Sequence, residues 1–132
     1  MLVEGGIPIK RVLICLFVVI FLSGCINRSP ILFTGESNNW SANYAVTNLN
    51  SEIHNSRLTL TYKGDNPSEV GKVKYKFSTS SGGGSAETEL SERKELIHAS
   101  GSNGAIPHKD EIINVTVEWK GIKEELQLST NG

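Results

Sequence analysis

An all-β fold, an antiparallel immunoglobulin-like β-sandwich of about seven strands, is what this sequence predicts, and three observations carry the prediction. Apolar residues alternate with polar ones through several short segments. Turn-forming residues punctuate those segments about every ten positions, the rhythm of a sandwich. No long segment holds the 3.6-residue period of an amphipathic helix. A small open barrel is the alternative closure of the same strands.

The alternation opens at Trp40, Ala42, Tyr44 and Val46, set between Ser41, Asn43 and Thr47. It resumes at Leu58, Leu60 and Tyr62, then at Val73, Tyr75 and Phe77, whose neighbours are Lys72, Lys74 and Lys76. Residues 85–91 and 94–98 carry weaker strand signals, and residues 87–92 read equally as the start of a short helix. Ile113, Val115, Val117 and Trp119 form the clearest strand, and Leu126 and Leu128 complete one opened by Ile122. Between these last two, Lys120-Gly121 reads as a two-residue hairpin loop, with glycine free to take positive φ. Glu124 stands on the inward parity of the final strand, which predicts a bulge or an exposed strand end there. The expected core is Trp40, Tyr44, Val46, Leu58, Leu60, Tyr62, Val73, Tyr75, Phe77, Ile113, Val115, Val117, Trp119, Leu126 and Leu128.

Ahead of the strands, Lys10 and Arg11 precede an uncharged apolar run over residues 12–22. A bilayer span needs about 20 apolar residues, so this run suits a secretory h-region instead. Leu22-Ser23-Gly24-Cys25 resembles the lipobox of bacterial lipoprotein signal peptides. The resemblance implies cleavage before Cys25, acylation of Cys25 as the lipidation site, and a lipid anchor on the extracytoplasmic face of the cell membrane. An uncleaved signal anchor is the alternative. The chain then divides into a signal peptide (1–24), a lipid-anchored tether (25–37) and a β-sandwich domain (38–132). About eight extended tether residues reach roughly 26 Å, which keeps the domain near the membrane surface.

Without residues 1–24 the chain keeps 11 basic and 13 acidic side chains, too balanced for a nucleic-acid partner. Cys15 falls in the discarded run and Cys25 carries the lipid, so the mature fold has neither a disulfide nor a free thiol for catalysis or metal ligation. A monomer without a cofactor is expected.

Three further segments carry a family resemblance. Phe33-Thr34-Gly35-Glu36-Ser37-Asn38-Asn39-Trp40 is similar to the "G-E-S-x-N-W" opening of small uncharacterised lipoproteins of spore-forming Gram-positive bacteria. Leu58-Thr59-Leu60-Thr61-Tyr62-Lys63-Gly64 and Val115-Thr116-Val117-Glu118-Trp119-Lys120-Gly121 resemble strand signatures of the same group. The resemblance implies a Gram-positive lipoprotein and brings no mechanism with it.

The chemical constellations are weaker than the address. Ser80-Ser81-Gly82-Gly83-Gly84-Ser85 lacks the Lys-Ser or Lys-Thr and helix that a phosphate cradle needs, and reads as a flexible strand connection. No Gly-x-Ser-x-Gly elbow is present for a serine hydrolase. Asp110-Glu111 and Glu124-Glu125 are adjacent pairs, and neighbours in a strand point to opposite faces, so neither makes a catalytic dyad. Lys72, Lys74 and Lys76, with Arg57 and Lys63 nearby, form either a patch for anionic lipid or wall polymer or a solvated face balanced by Glu87, Glu89, Glu92 and Glu95. Strict alternation of seven strands places the long loops 49–55, 78–85 and 99–110 at the end away from the tether. His54, His98 and His108 fall there, which makes them candidate zinc ligands against an otherwise metal-free reading. The expected function is a lipid-anchored extracytoplasmic binding or adaptor module, with an envelope protein or wall polymer as partner. A small envelope enzyme (hydrolase or metal-dependent) and a protective, immunity-type lipoprotein are the alternatives.

Overall fold

The computed structural model describes residues 29–131, so the signal peptide and Cys25 lie outside the described residues. Period-two patterning becomes strand throughout. In β2 (Trp40–Thr47) Trp40, Ala42, Tyr44 and Val46 are buried, and their neighbours are half-buried or exposed. The same alternation shapes β3 (His54–Tyr62), β4 (Lys72–Thr79) and β7 (Ile113–Trp119). The remaining strands are β1 (Ile31–Glu36), β5 (Gly82–Glu89), β6 (Glu95–Ser102) and β8 (Ile122–Leu128). At the β7–β8 turn Lys120 has φ 48° and Gly121 φ 75°, the pair of positive values that a type I′ hairpin requires.

Two antiparallel four-stranded sheets face each other, in the orders β1-β2-β3-β6 and β5-β4-β7-β8. Along one side they are stitched together. Thr34 N–H donates to the Ser129 carbonyl at 2.9 Å, and Ser129 N–H returns a bond to Thr34 at 3.0 Å. Gly35 makes this approach possible, because a Cβ there would lie 2.2 Å from the Gln127 carbonyl oxygen. The opposite side, between β5 and β6, has no such ladder. The sandwich is therefore zipped along β1–β8 and open along β5–β6.

The expected core side chains are buried, with Tyr62 only half-buried against the Trp40 ring at 5.3 Å. Ile31, Phe33, Ala42, Leu49, Val70 and Leu96 join them.

Several expectations are corrected. Residues 31–36 are strand β1 rather than tether, which raises the strand count to eight. Leu32 sits between Ile31 and Phe33 and blurs the alternation that would mark this strand in the sequence. The order 1-2-3-6 facing 5-4-7-8 also departs from the immunoglobulin constant-type arrangement, which crosses between sheets after its second strand. Gly82 to Gly84 are not a flexible connection but the first half of β5, paired with Thr79, Ser78 and Phe77. Residues 87–89 continue that strand, so no helix starts there. Of the two expectations for the final strand, the bulge is absent, because the register runs unbroken from Trp119↔Ile122 to Ile113↔Leu128. The exposed strand end is present, at Ile122 and Lys123.

One extra strand also inverts the end-to-end parity. The chain enters β1 at the same end as loops 48–53, 80–81 and 103–112. The long loops thus lie at the end where β1 begins, not at the opposite end. The far end carries turns 37–39, 63–71, 90–94 and 120–121.

Candidate functional site

Three regions bring polar groups together. The first is at the far end, where Glu124 reaches from β8 to the β1–β2 turn. Its carboxylate accepts the Ser37 hydroxyl at 2.6 Å, the Asn39 N–H at 3.0 Å and the Asn39 side-chain amide at 2.5 Å. Partial burial acts to raise the Glu124 pKa, but these hydrogen bonds and the nearby Lys63 charge outweigh it and hold the carboxyl below its usual range. Lys63 itself pairs with Glu36 at 2.8 Å and donates to the Ser37 carbonyl at 2.8 Å. The hydrogen bond and charge of Lys63 lower the Glu36 pKa in turn. Glu36, Ser37 and Asn39 of the Gly35–Trp40 motif thus have structural tasks, and the motif ends at Trp40, which is fully buried. The Glu124 carboxylate is taken up by Ser37 and Asn39, while the buried indole N–H of the adjoining Trp40 has no hydrogen-bond partner among the described residues.

The second region is the open side. His98 lies on β6 opposite Leu58, so its ring points inward. Its Nδ1 bonds the Tyr75 hydroxyl of β4 at 2.8 Å, and its ring meets Phe77 edge-on at 5.1 Å. Burial pushes the Tyr75 pKa up, which keeps the hydroxyl protonated. The facing backbone is Gly84, where a Cβ would lie 2.8 Å from His98 Nε2. The glycines of β5 therefore make room for a histidine that bridges the two sheets. Beyond that bridge, Ala86 and Thr88 are exposed although they share the inward parity of Gly84.

The third region is the outer face of the β5-β4-β7-β8 sheet. Along one row Glu87, Lys74, Glu118 and Lys123 are successive cross-strand partners, and Lys72 faces Glu89 in the next. Lys72 and Lys74 are thus set in a lattice of alternating sign rather than a positive patch, while Lys76 faces Ser85 and Thr116. Glu92 lies in turn 90–94 and Glu95 on the other sheet, so only Glu87 and Glu89 of the four acids balance them. Arg57 belongs to the opposite face, in a shallow hollow with Ala45, Thr47, Asn55 and Ala99.

The histidines do not converge. His54 is buried at the start of β3, four residues along from the position opposite His98, which places the two about 13 Å apart. His108 is exposed in loop 103–112. Among the described residues no group of three or more ligating side chains could hold a metal ion. Their irregular spacing in the sequence gave no register from which to place them. Glu111 and Glu125 likewise stand apart from their neighbours: Glu111 accepts bonds from the N–H and hydroxyl of Ser80, tying loop 103–112 to turn 80–81. Glu125 is exposed on the face opposite Glu124's.

The sequence reading missed the Tyr75–His98 pair and the free edge of β5. The signal for both was the glycine run, which fits a strand packed closely against another chain segment. Comparison with protein-family models finds no match to the chain, and comparison with curated proteins and with solved structures finds none.

Proposed function

We propose that the protein is a lipid-anchored binding or adaptor module on the extracytoplasmic face of the cell membrane. One observation carries the reading. Only residues 26–30 separate Cys25 of the lipobox-like segment from the first residue of β1. Such a link extends to roughly 20 Å, less than the length of a sandwich. An acylated Cys25 would therefore hold loops 48–53, 80–81 and 103–112 toward the bilayer. The far end and the open side would face outward, where a protein partner or wall polymer could reach them. Loop 103–112 is braced for such a position. Glu111 holds Ser80, the Thr130 hydroxyl donates to the Lys109 carbonyl at 3.0 Å, and the segment 106–110 packs with Ile31 around a hollow of about 450 Å3.

The test is fractionation of cells carrying the wild type and Cys25→Ala. The wild type should sediment with membranes and show, by intact mass, an acylated N-terminal cysteine. The variant should be lost from the membrane fraction or persist as a precursor. A wild-type mass with an unmodified cysteine overturns the reading.

A further inference from the structure

We infer that the free edge of β5 is a docking site for an extended, basic segment of a partner protein, which adds to the sheet as a fifth strand. Strand addition needs a backbone row that is straight, long and unobstructed. β5 supplies one. It pairs with β4 alone, over eight residues in unbroken register. Among the devices that blunt an edge are charged side chains, proline and bulges. Gly82–Glu89 has no proline and no bulge, and its charges are Glu87 and Glu89 alone, both on the outer face, so they repel an acidic strand and admit a basic one. None of its side chains is buried, and a Cβ at Gly82 would meet nothing within 4 Å. Gly82 alone of the three glycines faces open space, since a Cβ at Gly83 or Gly84 would meet the Phe77 carbonyl oxygen at 2.4 Å or His98 Nε2 at 2.8 Å. What β5 offers a partner is the main-chain edge on the side away from β4.

Charge identifies the occupant. The outer face runs Lys123, Glu118, Lys74, Glu87 from β8 to β5, so the sign alternates at every strand and the row stops on an acid. Glu89, opposite Lys72, is the second acid at the same edge. A fifth strand would set two of its outward residues, at i and i+2, against Glu87 and Glu89. Lysine or arginine at both positions continues the alternation, and acidic residues break it. Partner residues of the other parity would turn toward the open side beside Ala86 and Thr88. These are small, so apolar side chains fit there. The favoured segment thus alternates basic with apolar residues.

A second copy of this chain fits less well. Antiparallel pairing of two β5 edges sets Glu87 against Ser85, Gly83 or another glutamate and leaves the acids unmatched. The other free edge, β6, turns Glu95, Ile97 and Ala99 outward and offers no cation.

The inference concerns the surface of the domain and leaves Cys25 untouched, so its failure and that of the membrane reading are separately visible. The experiment uses the full chain, isotope-labelled in detergent micelles, titrated with a synthetic peptide of sequence Thr-Lys-Val-Lys-Val-Thr. Amide shifts should saturate at residues 82–89, with new exchange protection there, and added salt should weaken binding. A matched peptide with glutamate for lysine should bind about tenfold more weakly or not at all. The double variant Glu87→Lys, Glu89→Lys should keep a folded spectrum, since both side chains are exposed, and should reverse the preference. Equal binding of both peptides, shifts centred on other strands, or no binding by either overturns the proposal. Concentration-dependent broadening confined to β5 without peptide would assign the edge to a second copy and overturn it equally.

Discussion

Glu124 of the last strand receives both the backbone N–H and the side-chain amide of Asn39, at 3.0 and 2.5 Å, across 85 positions of sequence. The bond explains why an acid occupies the inward parity of β8: it caps the turn that launches the Trp40 strand. Because the folded pKa lies below the ordinary value of 4.5, the ionised form is the stabilising one. Its contribution is complete above about pH 5 and is lost as pH falls through the folded pKa. Glu124→Gln should therefore destabilise the domain by about 1–2 kcal/mol at pH 7. Denaturant melts should show that difference shrinking as pH falls below about 5. A gap that stays constant with pH would mean the carboxylate does not carry the effect.

Gly35→Ala tests the zipper between the sheets. The new methyl would lie 2.2 Å from the Gln127 carbonyl oxygen and 2.8 Å from Leu128 Cδ2. β8 must then move away from β1, and the paired Thr34–Ser129 bonds go with it. The expected loss is about 1–3 kcal/mol or more. Hydrogen exchange should report faster exchange at Thr34 and Ser129, and unchanged protection there would refute the steric account.

Val117 and Thr116 test the register of β7. Val117 is fully buried and Thr116 half-buried on the outer face. Val117→Ala should cost about 1–3 kcal/mol, and Thr116→Ala no more than about 0.5 kcal/mol. Thermal or denaturant unfolding of the two variants gives the comparison, and reversed sensitivities would turn the strand inside out.

Tyr75 and His98 should be energetically coupled. Tyr75→Phe removes the hydroxyl from a 2.8 Å bond to Nδ1 and should cost about 0.5–1.5 kcal/mol. In a double-mutant cycle with His98→Ala, the pair should show a coupling of at least about 0.5 kcal/mol. Additive effects would reduce the contact to coincidence of position.

Where the apolar residues themselves alternate, the fold was readable from the chain. Val73, Tyr75, Phe77 and the run from Ile113 to Trp119 announce their faces, and burial follows them. Legibility failed where a strand's identity comes from its neighbours. β5 has no buried side chain, so no pattern of hydrophobicity could mark it; β4 and the His98 ring define it. β1 was hidden by Leu32, an exposed leucine between two buried residues. Missing that one strand inverted the end assignment of every loop. The same logic hid the role of Glu124, whose partners lie in a turn near the start of the domain.

The stitch between Thr34 and Ser129 joins the first strand to the residue just after the last. During synthesis from the N-terminus, no stage before Ser129 is made can seal that side. Until β8 arrives, β1 lacks its neighbour and Phe33, fully buried in the finished domain, lacks part of its cover. Contacts of such long sequence separation place folding in the slow range of milliseconds to seconds. A shortened chain that stops before Leu126 should therefore be an open, sticky intermediate rather than a smaller domain. The last few residues act as the clasp of the whole structure.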